Sequence, residues 1–362
     1  MTVLFFVLGL GFLILGAEVL VRGASQIASS IGISPLIIGL TVVAFGTSSP
    51  ELAVSIKAAV SSQADIALGN VVGSNIFNVL FILGISALIV PLRVSQQLIR
   101  LDVPLMIGVS VLTFLLAIDL NISRIDGVLL VLCLAGYIGF LIYQSLGNSE
   151  ENSDHNQNEI EKDEPSEKSR HFVNLILVVG GLGLLVIGSR WFVNSAVSFA
   201  TYLGISELVI GLTIIAAGTS MPEVVTSIIA AIRGERDIAV GNVVGSNIFN
   251  IMGVLGIAGI MGPDGINVSE SFVSFDILLM IAAAVACLPI FFTKATINRW
   301  EGALFLGYYV VYTLYLVLLA SDHGALPIFN NIILYFVIPL TVITVLVVVF
   351  QEFISKNKAA ER

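Results

Sequence analysis

Residues 32–51 read GISPLIIGLTVVAFGTSSPE, and residues 204–223 read GISELVIGLTIIAAGTSMPE. Downstream of each comes the same ten-residue string, GNVVGSNIFN, at 69–78 and again at 241–250. The two copies are parts of one longer repeat. Residues 9–88 align with 181–260 at a constant offset of 172 without a gap, and about half of the positions are identical, far above what shared apolar composition produces. Weaker echoes continue: Leu101-Asp102 against Phe275-Asp276, and Arg124-Ile125-Asp126-Gly127 against Arg299-Trp300-Glu301-Gly302.

The repeat sits in an apolar chain. Of 362 residues, 57% are hydrophobic and only 11% are charged, against about 25% charged in a soluble domain. Such a chain cannot cover its surface in water, which excludes a soluble enzyme, a disordered protein and a nucleic-acid binder. It reads as an all-α polytopic membrane protein whose partner is the lipid bilayer. Continuous apolar runs predict eleven spans, at 2–21, 36–59, 66–91, 101–118, 126–146, 172–193, 208–231, 238–261, 274–292, 301–320 and 329–350. A β-barrel would show short alternating strands instead. The first run has no basic segment before it and no small-residue cleavage site after it, and reads as a retained helix.

Lys and Arg set the orientation. With the N-terminus outside, the outer connections hold Lys57, Arg124 and Arg190, and the other thirteen of the sixteen basic residues lie inside. The C-terminus is then cytoplasmic, in an inner or plasma membrane. Each copy holds five spans, an odd number, so the second must enter the membrane from the opposite side: an inverted-topology repeat. The units are residues 1–146, an acidic cytoplasmic linker at 147–171, the inverted copy at 172–320, and an extra helix with a short tail at 321–362. The linker reads as solvated chain; it is too short for a folded domain and lacks EF-hand spacing. No protein partner is implied.

Within this frame Glu51 and Glu223 lie at mid-membrane. A buried carboxylate there costs at least about 2–3 kcal/mol, and the symmetry brings both to one centre. Pro50 and Pro222 remove backbone donors, and Gly46 and Gly218 stand four residues earlier, so the helices should break near Thr47-Ser48 and Thr219-Ser220. Carbonyl, hydroxyl and carboxylate oxygens suit hard cations. Asn70, Ser74 and Asn78 share one helical face, as do Asn242, Ser246 and Asn250. Gly69, Gly73, Gly241 and Gly245 read as close-packing positions, and Asn75 and Asn247 as helix–helix or backbone hydrogen-bonding groups. Asp65 and Asp237 read as helix N-caps, and Cys133 and Cys287 as buried packing residues. The three histidines fall in polar connections and there is no HExxH, which argues against metalloprotease chemistry; Ser48 and Ser49 have no nearby base, so nucleophilic catalysis is not expected.

The doubled GTSxPE and GNVVGSNIFN motifs resemble the α-repeats of the cation/Ca²⁺ exchanger superfamily, in particular its prokaryotic sodium/calcium exchanger branch. The resemblance implies an alternating-access antiporter that exports Ca²⁺ against inward Na⁺, with no cofactor. It implies that Glu51 and Glu223 are the calcium carboxylates, with the Thr47 and Thr219 carbonyls completing that site. Ser48, Ser74, Ser220 and Ser246, with the carbonyls of Ala44 and Ala216, would form flanking sodium sites, and Asn78 matches a family asparagine. Asn250 departs from the family, where Asp is common. Two glutamates balance one Ca²⁺, two Na⁺ or two H⁺, and three Na⁺ would leave the centre at +1. Ca²⁺/H⁺ exchange and K⁺-dependent Na⁺/Ca²⁺ exchange on the same fold are the alternatives. The glycine-rich first and sixth spans (Gly9, Gly11, Gly16; Gly181, Gly183, Gly188) would slide against the rest.

Overall fold

The computed structural model describes residues 1–153, 167–205, 210, 213–214, 216–292, 295–321 and 323–333. Most of the expected eleventh span, its basic tail and the centre of the acidic linker lie outside these residues. The long helices are α1 (Thr2–Ile31), the bent pair α2 (Pro35–Thr47) and α3 (Ser49–Val60), α4 (Ala64–Ile89), α5 (Leu98–Leu116), α6 (Arg124–Ser145), α7 (His171–Tyr202), α8 (Met221–Ile232), α9 (Arg236–Met261), α10 (Phe272–Leu288) and α11 (Arg299–Ala320). Among the described residues seven helices are long and apolar enough to cross a membrane, or eight if the bent pair is one span. That is fewer than the eleven apolar runs. Among the described residues the runs expected at the seventh and ninth positions carry the shorter apolar helices α8 and α10.

Several boundaries differ from the hydropathy reading. Helix α1 runs past Arg22 to Ile31 because GASQIASS keeps small, helix-compatible residues. It stops where Gly32 turns left-handed, φ 72°, a conformation without penalty only for glycine. Gly204, at the equivalent place after α7, does the same at φ 74°. Helix also continues from α6 to Ser153 and resumes at Glu167, so the ends of the acidic linker are helical, as propagation from an existing helix is cheap. Asp65 and Asp237 are not N-caps. Gln63 and Glu235 hold those positions, and the aspartates lie in the first turn, where they face the positive end of the helix dipole. Cys287 is buried but Cys133 is exposed on α6, on a face the protein leaves to its surroundings.

The two copies interlock. Two short antiparallel ribbons join them: Leu92–Arg93 (β1) pairs with Thr296–Ile297 (β4), and Asn121–Ile122 (β2) with Ile266–Asn267 (β3). The arginine echo has a matching use. Arg124 donates to the carbonyls of Gly262 and Pro263 at 3.1 and 2.6 Å, and Arg299 donates to that of Ile89 at 3.3 Å. Each arginine thus holds the end of the other copy's third helix. The acidic residue two places on closes the helix start: Asp126 accepts from Ser123, and Glu301 from Asn298.

Helices α1 and α7 pack along their length. A Cβ on Gly16 would stand 2.8 Å from the Gly181 carbonyl, and one on Gly188 would stand 2.8 Å from that of Gly9. These glycines therefore hold α1 and α7 together at backbone contact. A Cβ on Gly11 or Gly183 would meet nothing within 4 Å among the described residues. Gly241 and Gly245 do serve close packing, against Leu36 and Leu40. At Gly69 and Gly73 an added Cβ meets nothing within 4 Å among the described residues.

Candidate cation-binding site

The centre is built where the helices break. Ser48 ends α2 with φ −83° and ψ 7°, and Ser220 precedes α8 with φ −84° and ψ 7°. The axis of α2 bends by 47° into α3. Pro50 and Pro222 cannot serve the carbonyls four residues earlier, and hydroxyls take them instead: Ser49 Oγ donates to Gly46 O, and Ser189 Oγ to Gly218 O, both at 2.8 Å. Thr47 closes α2, so its carbonyl belongs to the turn that lacks in-helix partners. The Ala44 carbonyl accepts from Ser48 N at 3.0 Å, and Thr47 Oγ1 lies 3.3 Å from it.

Both glutamates are fully buried, with 0% of either side chain exposed. Each is held from the other copy. Ser48 Oγ donates to Glu223 Oε1 at 2.9 Å, and Ser220 Oγ to Glu51 Oε1 at 2.8 Å. Ser74 Oγ lies 3.2 Å from Ser220 Oγ. Ser220 Oγ stands in donor geometry toward Ser74 as well as toward Glu51, and its single proton serves one of the two at a time. The hydroxyl of Ser246, the counterpart of Ser74, has no hydrogen-bond partner among the described residues, and here the two-fold symmetry of the centre is broken. The second oxygen of each glutamate, Oε2, is buried and has no hydrogen-bond partner among the described residues. A buried carboxylate oxygen without a donor is costly, and a cation relieves that cost. Oxygen donors of this kind fit a hard cation. Among the described residues no group of three or more His, Cys, Asp or Glu side chains gathers, so the acidic charge of the centre is the glutamate pair.

Asn70 and Asn242 brace the pair. Asn70 Nδ2 donates to the Glu51 carbonyl at 3.0 Å and to Ser55 Oγ at 2.8 Å, and its Oδ1 accepts from Thr219 Oγ1 at 3.3 Å. Asn242 repeats this with Ser227 and Glu223, and accepts from Thr47 Oγ1 at 3.1 Å. Asn78 and Asn250 lie one turn beyond Ser74 and Ser246. Both are fully buried, and the Oδ1 of each is unpartnered. Each begins a π-helical turn, Asn78–Leu83 and Asn250–Leu255, a feature common at functional sites. Of the anticipated ligands, Glu51, Glu223, Thr47, Ser48, Ser74, Ser220, Ser246, Asn78, Asn250 and Ala44 are buried and Thr219 is half-buried. Ala216 contributes backbone in the short helix Ala216–Gly218. The brace of Ser55, Ser227, Asn70 and Asn242 was not readable as such. Periodicity placed the asparagines on the right face but could not supply their partners.

Comparison with known proteins identifies the family. A family described as "Sodium/calcium exchanger protein" matches residues 1–144 and 173–318, one stretch in each half. The chain is 36% identical over 339 residues to the sodium/calcium exchanger MaX1 of Methanosarcina acetivorans, covering 85% of this chain and 96% of that protein. It is 39% identical over 313 residues to the putative antiporter CaxA of Alkalimonas amylolytica, with the same coverage. The inner membrane protein YrbG of Escherichia coli is 36% identical over 284 residues, covering 78% and 86%. A solved structure of the sodium-calcium exchanger NCX_Mj, soaked with Na⁺ and Ca²⁺, superposes with a TM-score of 0.73 at 30% identity, over 86% of this chain and 97% of that one. The fold is that of a multi-pass, all-helical membrane transporter with two related halves. The chain belongs to the sodium/calcium exchanger protein family, whose members are transporters and not enzymes.

Proposed function

We propose that the chain is a secondary antiporter exchanging Ca²⁺ for Na⁺ by alternating access. The observation that carries this reading is the buried pair Glu51 and Glu223. Each is oriented by a serine of the opposite copy and keeps one free oxygen. Empty, such a centre holds two uncompensated charges in a low-dielectric interior and resists rearrangement. One Ca²⁺ or two Na⁺ neutralises it and lets the occupied centre change sides. Coupling follows, because the empty carrier does not return. In this reading Glu51 and Glu223 bind Ca²⁺ with the carbonyls of Thr47 and Thr219. Ser48, Ser220, Ser74, Ser246 and the carbonyls of Ala44 and Ala216 serve Na⁺, and the amide oxygens of Asn78 and Asn250 face the same centre.

The proposed architecture is two inverted five-span repeats, 1–146 and 172–320, an acidic cytoplasmic linker between them and an extra C-terminal helix, eleven spans in all. The ribbons support the inversion. The connection after α4 pairs with the one between α10 and α11, and that after α5 with the one between α9 and α10. Paired strands share a membrane side. The Lys/Arg asymmetry supports an N-terminus that faces out, with the linker and C-terminus in the cytoplasm of an inner or plasma membrane.

The test uses purified protein in liposomes loaded with Na⁺ and diluted into choline medium with labelled Ca²⁺, beside an acid-inside set without Na⁺. Uptake driven by the Na⁺ gradient alone supports sodium coupling. Uptake driven by the pH gradient alone replaces it with Ca²⁺/H⁺ exchange, and a requirement for K⁺ beside Na⁺ identifies potassium co-transport.

A further inference from the structure

Four asparagines meet where α4 crosses α9, and their hydrogen bonds are ordered. Asn75 Nδ2 donates to the backbone carbonyl of Asn247 at 3.3 Å, and Asn247 Nδ2 to the backbone carbonyl of Asn75 at 3.3 Å. The other N–H of each points at a methionine sulfur, Met280 Sδ at 3.6 Å and Met106 Sδ at 3.5 Å. A carbonyl accepts and never donates, so these contacts decide which end of each amide is nitrogen. The amide oxygens of Asn75 and Asn247 must then face the other way, and each accepts from an asparagine one turn further on. Asn250 Nδ2 donates to Asn75 Oδ1 at 3.1 Å, and Asn78 Nδ2 to Asn247 Oδ1 at 3.0 Å. The consequence falls on Asn78 and Asn250. One N–H of each is held at the helix crossing, which fixes the amide's nitrogen end there and leaves its Oδ1 on the other side, buried and without a partner among the described residues. An amide free to flip would offer the centre a donor half of the time, and a donor repels a cation.

We infer that Asn75 and Asn247 are positioning residues for the cation centre: each fixes the amide of the opposite copy's site asparagine, Asn250 or Asn78, with its oxygen toward the ion. They touch no ion themselves. Each acts through one neighbour, across the interface between the copies, so both halves must be assembled before either amide is oriented. The inference rests on the cation site proposed above and adds to it two residues and a direction. It also gives the neutral residue at 250 a definite task. A carboxylate there accepts only, whereas the amide both satisfies Asn75 Oδ1 and presents an acceptor.

The experiment is a double-mutant cycle on the full chain in liposomes, reading the KM for Ca²⁺, the maximal rate and the melting temperature of Asn75→Leu, Asn250→Ala and the double variant. Asn75→Leu is expected to raise KM about tenfold with less than a twofold change in maximal rate. In the Asn250→Ala background it should add nothing, because its target is gone. A merely structural crossing would lower stability equally in both backgrounds and add the same KM change to each; additive effects, or a KM unmoved by Asn75→Leu, overturn the inference. If Asn75→Leu does not fold, the independent cycle Asn247→Leu with Asn78→Ala is read in the same way. Glu51→Gln, run alongside, separates the two failures. Transport that survives Glu51→Gln sinks the cation site itself, while transport that is lost there beside an additive cycle sinks only the positioning role.

Discussion

Ser48 holds Glu223: the hydroxyl at the break in the first copy's helix donates to the carboxylate of the second at 2.9 Å, and Ser220 returns the same bond to Glu51 at 2.8 Å. Neither half owns a complete site. The carboxylate of each is oriented by the helix break of the other, so the two halves must assemble before either glutamate is placed.

Removing one of these hydroxyls is therefore expected to act on affinity. A hydrogen bond to a charged group contributes about 1.5–3 kcal/mol, so Ser48→Ala and Ser220→Ala should each raise the KM for Ca²⁺ by about tenfold or more. Labelled-Ca²⁺ uptake at graded Ca²⁺ measures this. A silent Ser48→Ala would remove Ser48 from the site.

The α1–α7 contact makes a stability prediction. Gly16→Ala places a methyl 2.8 Å from the Gly181 carbonyl, and relieving such overpacking costs about 1–3 kcal/mol. Gly11, where an added Cβ meets nothing within 4 Å among the described residues, is the control. Gly11→Ala should leave the melting temperature unchanged or raise it slightly, since alanine is the better helix former. Thermal unfolding in detergent should show a drop for Gly16→Ala alone.

The ribbons predict membrane sidedness. In a background of Cys133→Ser and Cys287→Ser, single cysteines at Arg93 and Thr296 should react with an impermeant thiol reagent from the same side. Cysteines at Asn121 and Asn267 should react from the other. Labelling of Arg93→Cys and Thr296→Cys from opposite sides would exclude the inverted arrangement.

The parts of this picture that sequence alone made legible are those with a covalent or periodic cause. Pro50 and Pro222 must break a helix, and the structure breaks at Ser48 and Ser220. The 172-residue offset announced that Glu51 and Glu223 are equivalent. Other features depend on partners distant in sequence. Nothing at Asn70 shows that it will grip Ser55 and accept from Thr219, and the strands at 92–93 and 296–297 are too short for any alternation to reveal. The glycines of α1 read as a face that slides against the rest of the protein; that they meet α7 at backbone contact was not legible. Cys133 shows the same limit from the other side: an apolar run cannot distinguish a face turned to protein from one turned to lipid.

The most direct test of the central claim is Ca²⁺ uptake into Na⁺-loaded liposomes by Glu51→Gln and Glu223→Gln, each checked for intact folding by its elution and melting profile. Both substitutions keep the shape of the side chain and remove its charge. If the two glutamates form one cation centre, each variant alone should lose transport while remaining folded. Normal Na⁺-driven Ca²⁺ uptake by either variant would contradict the account.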